Sequence, residues 1–462
     1  MSTTKALPKD NKMGTMGVNK LLITMALPMV ISMLIQALYN IVDSYFVNLL
    51  SQEAFDAVSL AFPIQHLIIG VATGTAVGIN SLLSRSLGEG NREKANRIAE
   101  HGVFLAVLSW AAFFIFGIFG TRFFYGFFAK DISPLTVEYG VEYLTICCCC
   151  SFGVFGQITF EKLMQATGRT FYTMITQGLG AIVNIIMDPI LIFGKFGFPE
   201  MGVSGAAVAT VIGQCFAFLL AYIFNKTKNT DLNLSVKKFR PDRKIIGSIY
   251  AIGVPSILMM AIGSVMTTGM NKILGGFGTQ TAITVYGIYF KIQSFIFMPV
   301  LGLNNGLIPI VAYNYGAKSK GRLTKAIKLA LIYGFVIMFL GMLLLQFFPH
   351  QLLSLFETDK TSADFFTLGV PAFRTISLSF TVASFCIVLS AVFQAFGKGV
   401  LSMIVSFARQ LVVLLPAAYL LSLTGNIEAV WWSFPIAEIA SVIVSVLSFV
   451  SLWKKTIRHI PE

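Results

Sequence analysis

Gln165-Ala166-Thr167-Gly168-Arg169 returns 229 residues later as Gln394-Ala395-Phe396-Gly397-Lys398, and the two copies decide how this chain is organised. A shift of 228 lays Phe62, Ile64 and Gln65 on Phe290, Ile292 and Gln293, and Gly74, Gly78 and Gly88 on Gly302, Gly306 and Gly316. The 229 shift also matches Met174 with Met403, and one of 227 matches Pro28 with Pro255. The chain is a duplication. Its halves are joined by the polar, basic stretch Asn225 to Lys244, which reads as a linker.

What is duplicated follows from composition. The 462 residues are 56% apolar and only 12% charged, with 42 Phe, which points to a membrane solvent. Apolar stretches of about 20 residues or more recur throughout, each long enough for a hydrocarbon core roughly 30 Å thick. They are continuously apolar rather than alternating, so they read as helices and not barrel strands. Twelve spans are expected, at 22–50, 56–83, 99–125, 137–165, 171–194, 203–225, 247–274, 282–313, 324–348, 365–394, 400–423 and 430–453. The expected fold is all-α and polytopic, two homologous six-helix lobes around a central cavity. Six spans per half give the halves one orientation, related by an axis along the membrane normal. The divisions expected are 1–20 and 454–462 as cytoplasmic ends, 21–225 and 247–453 as lobes, and 226–246 as linker.

The net charge of +13 is topology, not nucleic-acid binding. Lys and Arg collect in alternate loops: Lys5, Lys9, Lys12 and Lys20; Arg85, Arg92, Lys94 and Arg97; Lys162 and Arg169; the run Lys226 to Lys244; Lys318 to Lys328; Lys398; and Lys454, Lys455 and Arg458. The other loops hold only Arg122, Lys130, Lys195 and Lys360. By the positive-inside rule both termini are cytoplasmic, in a plasma (inner) membrane protein. The first apolar run is long and lacks a small-residue cleavage pattern, so it reads as a span and not a signal peptide. The run Cys147 to Cys150 places side chains about 100° apart on one helix, unfit for a tetrahedral metal site, so these read as reduced packing residues.

An ionisable residue at mid-span costs about 2.5–3.5 kcal/mol on insertion scales and needs a reason. In the first span Ser32, Gln36, Tyr39, Asn40 and Asp43 recur at steps of three or four and make a polar stripe. In the fifth, Gln177, Asn184 and Asp188 do the same, and Asn184 and Asp188 can present two oxygens to one point. Such oxygen donors suit a hard ion such as Na⁺, and a desolvated carboxylate can equally hold a proton. The seventh span carries Ser264, Thr267, Thr268 and Asn271 but no acid. Lys291, Arg374 and Glu438 fall at similar depth and read as a structural ion pair, while Lys291, Arg374 and Arg409 together could instead meet an anionic substrate. Gln36, Tyr39, Asn40 and Gln177, with the adaptable Met259 and Met260, are expected to line the substrate cavity. Pro28 and Pro255 should kink the first and seventh spans at matching places, as static bends or as hinges. Gly70, Gly74 and Gly78 form a small-residue ridge for close helix packing.

Ser84-Arg85-x-Leu87-Gly88-x-Gly90-Asn91, Gln165-Ala166-x-Gly168-Arg169, Asn184-x-x-x-Asp188-Pro189, Gly202-Val203-x-Gly205-Ala206-Ala207 and Tyr313-Asn314-Tyr315-Gly316-Ala317 together resemble the multidrug and toxic compound extrusion (MATE) family, in its DinF-like or a related bacterial branch. The resemblance spans residues 20–453. It implies export of cationic or amphipathic organic compounds by alternating access, against Na⁺ or H⁺. It implies a cation held in the first lobe by Asp43, Asn184, Asp188 and Thr210, with Tyr39 beside them. The family's other branch uses acids in the seventh and tenth spans, where this chain has Met and Arg374, so coupling is expected in the first lobe only. A flippase for a lipid-linked polyprenyl substrate is the alternative. No nucleotide-binding loop, nucleophile elbow or zinc motif occurs, so no enzymatic activity and no cofactor beyond the coupling ion is expected. The expected partners are small organic solutes and the lipid bilayer, with no nucleic acid, for a protein acting as a monomer.

Overall fold

A computed structural model describes residues 11–128, 133–235, 239–357 and 364–461. Of the basic-loop pattern, Lys5, Lys9, Lys130, Lys237, Lys238 and Lys360 lie outside these residues. Among the described residues no strand occurs. Ten helices are long and apolar enough to cross a bilayer, and two bent helix pairs bring the crossings to twelve. The first half contributes Val18–Asn48, Gln52–Gly88, Arg92–Phe119, the pair Pro134–Cys149 and Phe152–Ala166, Thr170–Ile192 and Gly202–Lys228. The second contributes Arg243–Gly275, Gln280–Gly316, Lys320–Phe347, the pair Phe365–Ser377 and Phe380–Ala395, Gly399–Ser422 and Ile427–His459. These are spans 1 to 12.

Spans 4 and 10, each expected as one apolar stretch, bend by 42° and 49°. Both bends carry the same local bond. Ser151 Oγ donates to the Cys148 carbonyl at 2.8 Å, and Ser379 Oγ, 228 residues on, donates to that of Ile376 at 2.6 Å. Such back-bonding offers the backbone an alternative to the helical ladder. Pro28 and Pro255, by contrast, sit inside helices that run unbroken. The four cysteines of the run are free thiols, Cys147 and Cys148 buried at the bend.

Among the described residues, packing joins the halves at one end. One apolar core is made wholly of first-half residues, among them Val47, Ala61, Tyr125, Tyr143 and Val203. A larger core runs across both halves through Met25, Leu83, Ile249, Leu307 and Val311. The join is made by spans 2 and 7 and by spans 1 and 8, where glycines remove the side chains that would hold the helices apart. A Cβ on Gly78 would lie 2.3 Å from the Ile249 carbonyl oxygen, and one on Gly302 or Gly306 would meet the backbone of Val30 or Ala26 at 2.6 and 2.8 Å. Polar bonds cross the seam as well. Ser81 Oγ donates to the Gln394 carbonyl at 2.9 Å, and Lys162 Nζ to Asn305 Oδ1 at 2.8 Å.

The N-terminal turn Lys12–Thr15 is laid over this seam. Asn11 caps it, accepting from Met13 N–H at 2.9 Å, and reaches the Thr167 carbonyl of the first half at 3.3 Å. Arg322 of the second half donates to the carbonyls of Met13 and Met16 at 2.9 and 2.6 Å. The linker is clasped to span 3. Asp242 pairs with Arg97 at 2.8 Å, and its backbone N–H donates to His101 Nε2 at 2.8 Å.

Candidate functional site

Spans 5 and 6 cross in close contact because Gly180 and Gly213 face each other. A Cβ on Gly213 would meet the Gly180 carbonyl at 2.8 Å and Asn184 Cβ at 2.9 Å. Lower side-chain volume thus brings the Asn184 turn of one helix against the Thr210 turn of the next. With its amide turned so that both ends are satisfied, Asn184 donates to Asp188 Oδ2 at 3.2 Å and accepts from the Thr210 N–H at 3.0 Å. Asp188 is fully buried, Asn184 and Thr210 nearly so.

Span 1 supplies the rest. The Tyr39 hydroxyl stands beside the Thr210 side chain and in the field of both Asp43 and Asp188, and the two carboxylates are near enough to act on each other. Asp43 Oδ1 and Asp188 Oδ1 are buried with no hydrogen-bond partner. A buried carboxylate oxygen without a donor is costly, so this pair of vacant acceptors beside a hydroxyl and an amide fits a small cation or a shared proton. Among the described residues no group of three His, Cys, Asp or Glu stands close enough together to hold a metal ion.

Other expected residues are dispersed. Gln36 and Asn40 are exposed on span 1. Gln177 stands eleven residues before Asp188, roughly 16 Å along the helix, and gives its amide nitrogen to Glu161 at 2.7 Å. Met260 touches Gly70 across the seam with its sulfur 3.6 Å from where a Cβ would stand, and Met259 Sδ accepts from Gln394 Nε2 at 4.0 Å. The polar stripe of span 7 is spent locally, since Thr267 and Thr268 donate to the carbonyls of Gly263 and Ser264, each at 3.0 Å.

Two expectations are corrected. Glu438 pairs with Arg409 at 2.9 Å, not with Lys291 or Arg374. Arg409 lies in the first turn of the π-helical segment Ala408–Leu414 and faces span 12. Lys291 instead lies over the Phe356 ring at 6.0 Å, and Arg374 is exposed. Lys162 is no loop residue: it is 6% exposed within Phe152–Ala166. Glu161 beside it was missed altogether. It is buried and accepts from Thr176 at 2.9 Å, Gln177 at 2.7 Å and Gln157 at 3.1 Å. An acid and a base adjacent inside Phe160 to Met164 were the available signal.

The model of the MatE family matches residues 28–190 and 255–420. The chain is 27% identical to a multidrug export protein MepA of Staphylococcus haemolyticus over 94% of this chain and 93% of that one. It is also 27% identical to a MepA of Staphylococcus aureus, over 93% and 92%. A structure described as the outward-facing conformation of a multidrug resistance MATE family transporter superposes with a TM-score of 0.90 at 26% identity, covering 99% of this chain and all of that one. A transporter from Pyrococcus furiosus, described as having a binding pocket of reverse polarity, superposes at 0.89 and 25% identity, covering 99% and 100%.

Proposed function

We propose, from the premise that this chain belongs to the MatE family of multi-pass membrane transporters, that it is an antiporter exporting cationic or amphipathic organic compounds in exchange for Na⁺ or H⁺. The observation that carries this reading is the pair of vacant carboxylate oxygens, Asp43 Oδ1 and Asp188 Oδ1, held beside Asn184, Thr210 and Tyr39 in one lobe. The multidrug export by the MepA relatives and the outward-facing form of a structural neighbour support it.

The seam lies at the end that carries Arg85, Arg92, Arg169 and Lys318, which the positive-inside rule assigns to the cytoplasm, with both termini there, in the plasma (inner) membrane. The lobes therefore stand open to the outside. A cation entering from that side neutralises the carboxylates and removes their hold on a positively charged solute. A ligand moves a two-state equilibrium only by its differential affinity for the two states, so cation and solute must each favour a different opening of the lobes. The protein acts as a monomer, without enzymatic chemistry. The flippase reading, which rests on the basic trio Lys291, Arg374 and Arg409, loses one of the three, because Arg409 is neutralised by Glu438 and is not free for a pyrophosphate.

The test is uptake of a fluorescent organic cation into proteoliposomes with an imposed Na⁺ or H⁺ gradient. Uphill transport driven by one gradient, abolished by Asp188→Asn, is expected. Equal transport with and without either gradient overturns cation coupling.

A further inference from the structure

At the end of the first lobe remote from the seam, a cleft of about 620 Å³ opens between spans 3, 4 and 6. It lies on the flank of the lobe, away from the span 1 and 2 surface that meets the second half. Its walls are Ile118, Val141 and Ile146, and its polar groups are Arg122, Glu142, Thr145 and Ser204. Ser204 Oγ donates to Glu142 Oε2 at 2.8 Å, and Thr121 and Thr145 join hydroxyls at 3.0 Å on the wall below Arg122. The ion site described above uses none of these residues.

The depth of the cleft is set by the short helix Thr121–Phe128. Phe123 and Phe127 project from it, 77% and 60% exposed, with their rings side by side at 6.4 Å, while Tyr125 on the opposite face is buried and donates to the Ala57 carbonyl at 2.8 Å. A helix with one face locked on the protein and exposed aromatic rings on the other belongs at the boundary between headgroups and acyl chains. Arg122 and Glu142 then stand at headgroup level, with apolar wall beneath them.

We propose that this cleft binds the headgroup of a phospholipid carrying a primary ammonium, a phosphatidylethanolamine. The two charges match it in kind: Arg122 presents a planar fork to the phosphate, and Glu142 presents its carboxylate to the ammonium. Ile118, Val141 and Ile146 take the first carbons of the acyl chains. A quaternary ammonium has no N–H to give Glu142, and a glycerol headgroup leaves that carboxylate without a cation. Phosphatidylcholine and phosphatidylglycerol are thereby disfavoured.

The experiment is native mass spectrometry of the full chain in detergent, titrated in turn with a phosphatidylethanolamine, phosphatidylcholine and phosphatidylglycerol of the same acyl length. Phosphatidylethanolamine should bind about tenfold more tightly than either, the scale of one charge-assisted contact. Arg122→Gln combined with Glu142→Gln should reduce it to the level of phosphatidylcholine. Both side chains are exposed, so the variant should unfold at the wild-type temperature without added lipid. Equal binding of phosphatidylethanolamine and phosphatidylcholine, or unchanged binding by the variant, overturns the proposal. Displacement of the lipid by tetraphenylphosphonium also overturns it, by making the cleft a port for cationic solutes.

Discussion

Gly88 lies so close to Tyr313 that a Cβ on it would stand 2.0 Å from the Tyr313 carbonyl oxygen. The relation returns through the repeat, since a Cβ on Gly316 would stand 2.1 Å from the carbonyl of Arg85. Residues 85 and 88 of one half thus meet their own counterparts, 313 and 316, crosswise. The seam is pseudo-symmetric, and the absence of two methyl groups lets it close.

Replacing either glycine with Ala should therefore pry the seam open. Spans 2 and 8 would have to part by more than 1 Å, and overpacking of this kind costs roughly 1–3 kcal/mol. A thiol placed by Ser81→Cys should react faster with an impermeant reagent from the basic-loop side in the Gly88→Ala background. Unchanged labelling there would mean that the contact does not hold the lobes together.

Lys162 and Asn305 should respond unequally. Asn305→Ala leaves the Lys162 ammonium buried in the seam without its amide partner, and a lost hydrogen bond to a charged group is worth about 1.5–3 kcal/mol. Lys162→Met removes the charge along with the bond. The first should increase Ser81→Cys labelling more than the second, and the reverse order would contradict the role given to this bond.

Asp43→Asn and Asp188→Asn should each abolish gradient-driven export while the protein stays folded, because removing a charge from a span relieves an insertion cost of about 2.5–3.5 kcal/mol. Binding of the coupling ion to purified protein, with competition by substrate, is the measurement. Normal ion binding by Asp188→Asn, together with its loss in Glu438→Gln, would place the coupling site in the other lobe.

Glu438→Gln should act on stability instead. Breaking a buried ion pair strands Arg409 at a cost of about 3–5 kcal/mol, whereas Arg409→Met with Glu438→Leu removes both charges and should recover most of the loss. Thermal unfolding of the single and double variants decides it. A double variant as unstable as the single one would show that the damage is not an uncompensated charge.

Helices, halves and family were legible in the chain itself. A transmembrane helix must satisfy its own backbone hydrogen bonds in lipid, so length and hydropathy alone mark it, and Gln165 to Arg169 recurring at Gln394 to Lys398 marks the duplication. Asn184 and Asp188, one turn apart, could be placed together from spacing. Spacing could not say which residue of another helix they meet, and Asp43 and Thr210 were expected there only from the family resemblance. Thr210 arrives beside them because Gly180 and Gly213 let two backbones approach, Arg409 in the π-helical turn of span 11 rather than Lys291 finds Glu438, and Lys162 is buried because a second lobe closes over it. Periodicity reports the face of one helix, while partners across helices depend on rotation and closest approach, which are set by packing that only the assembled lobes contain.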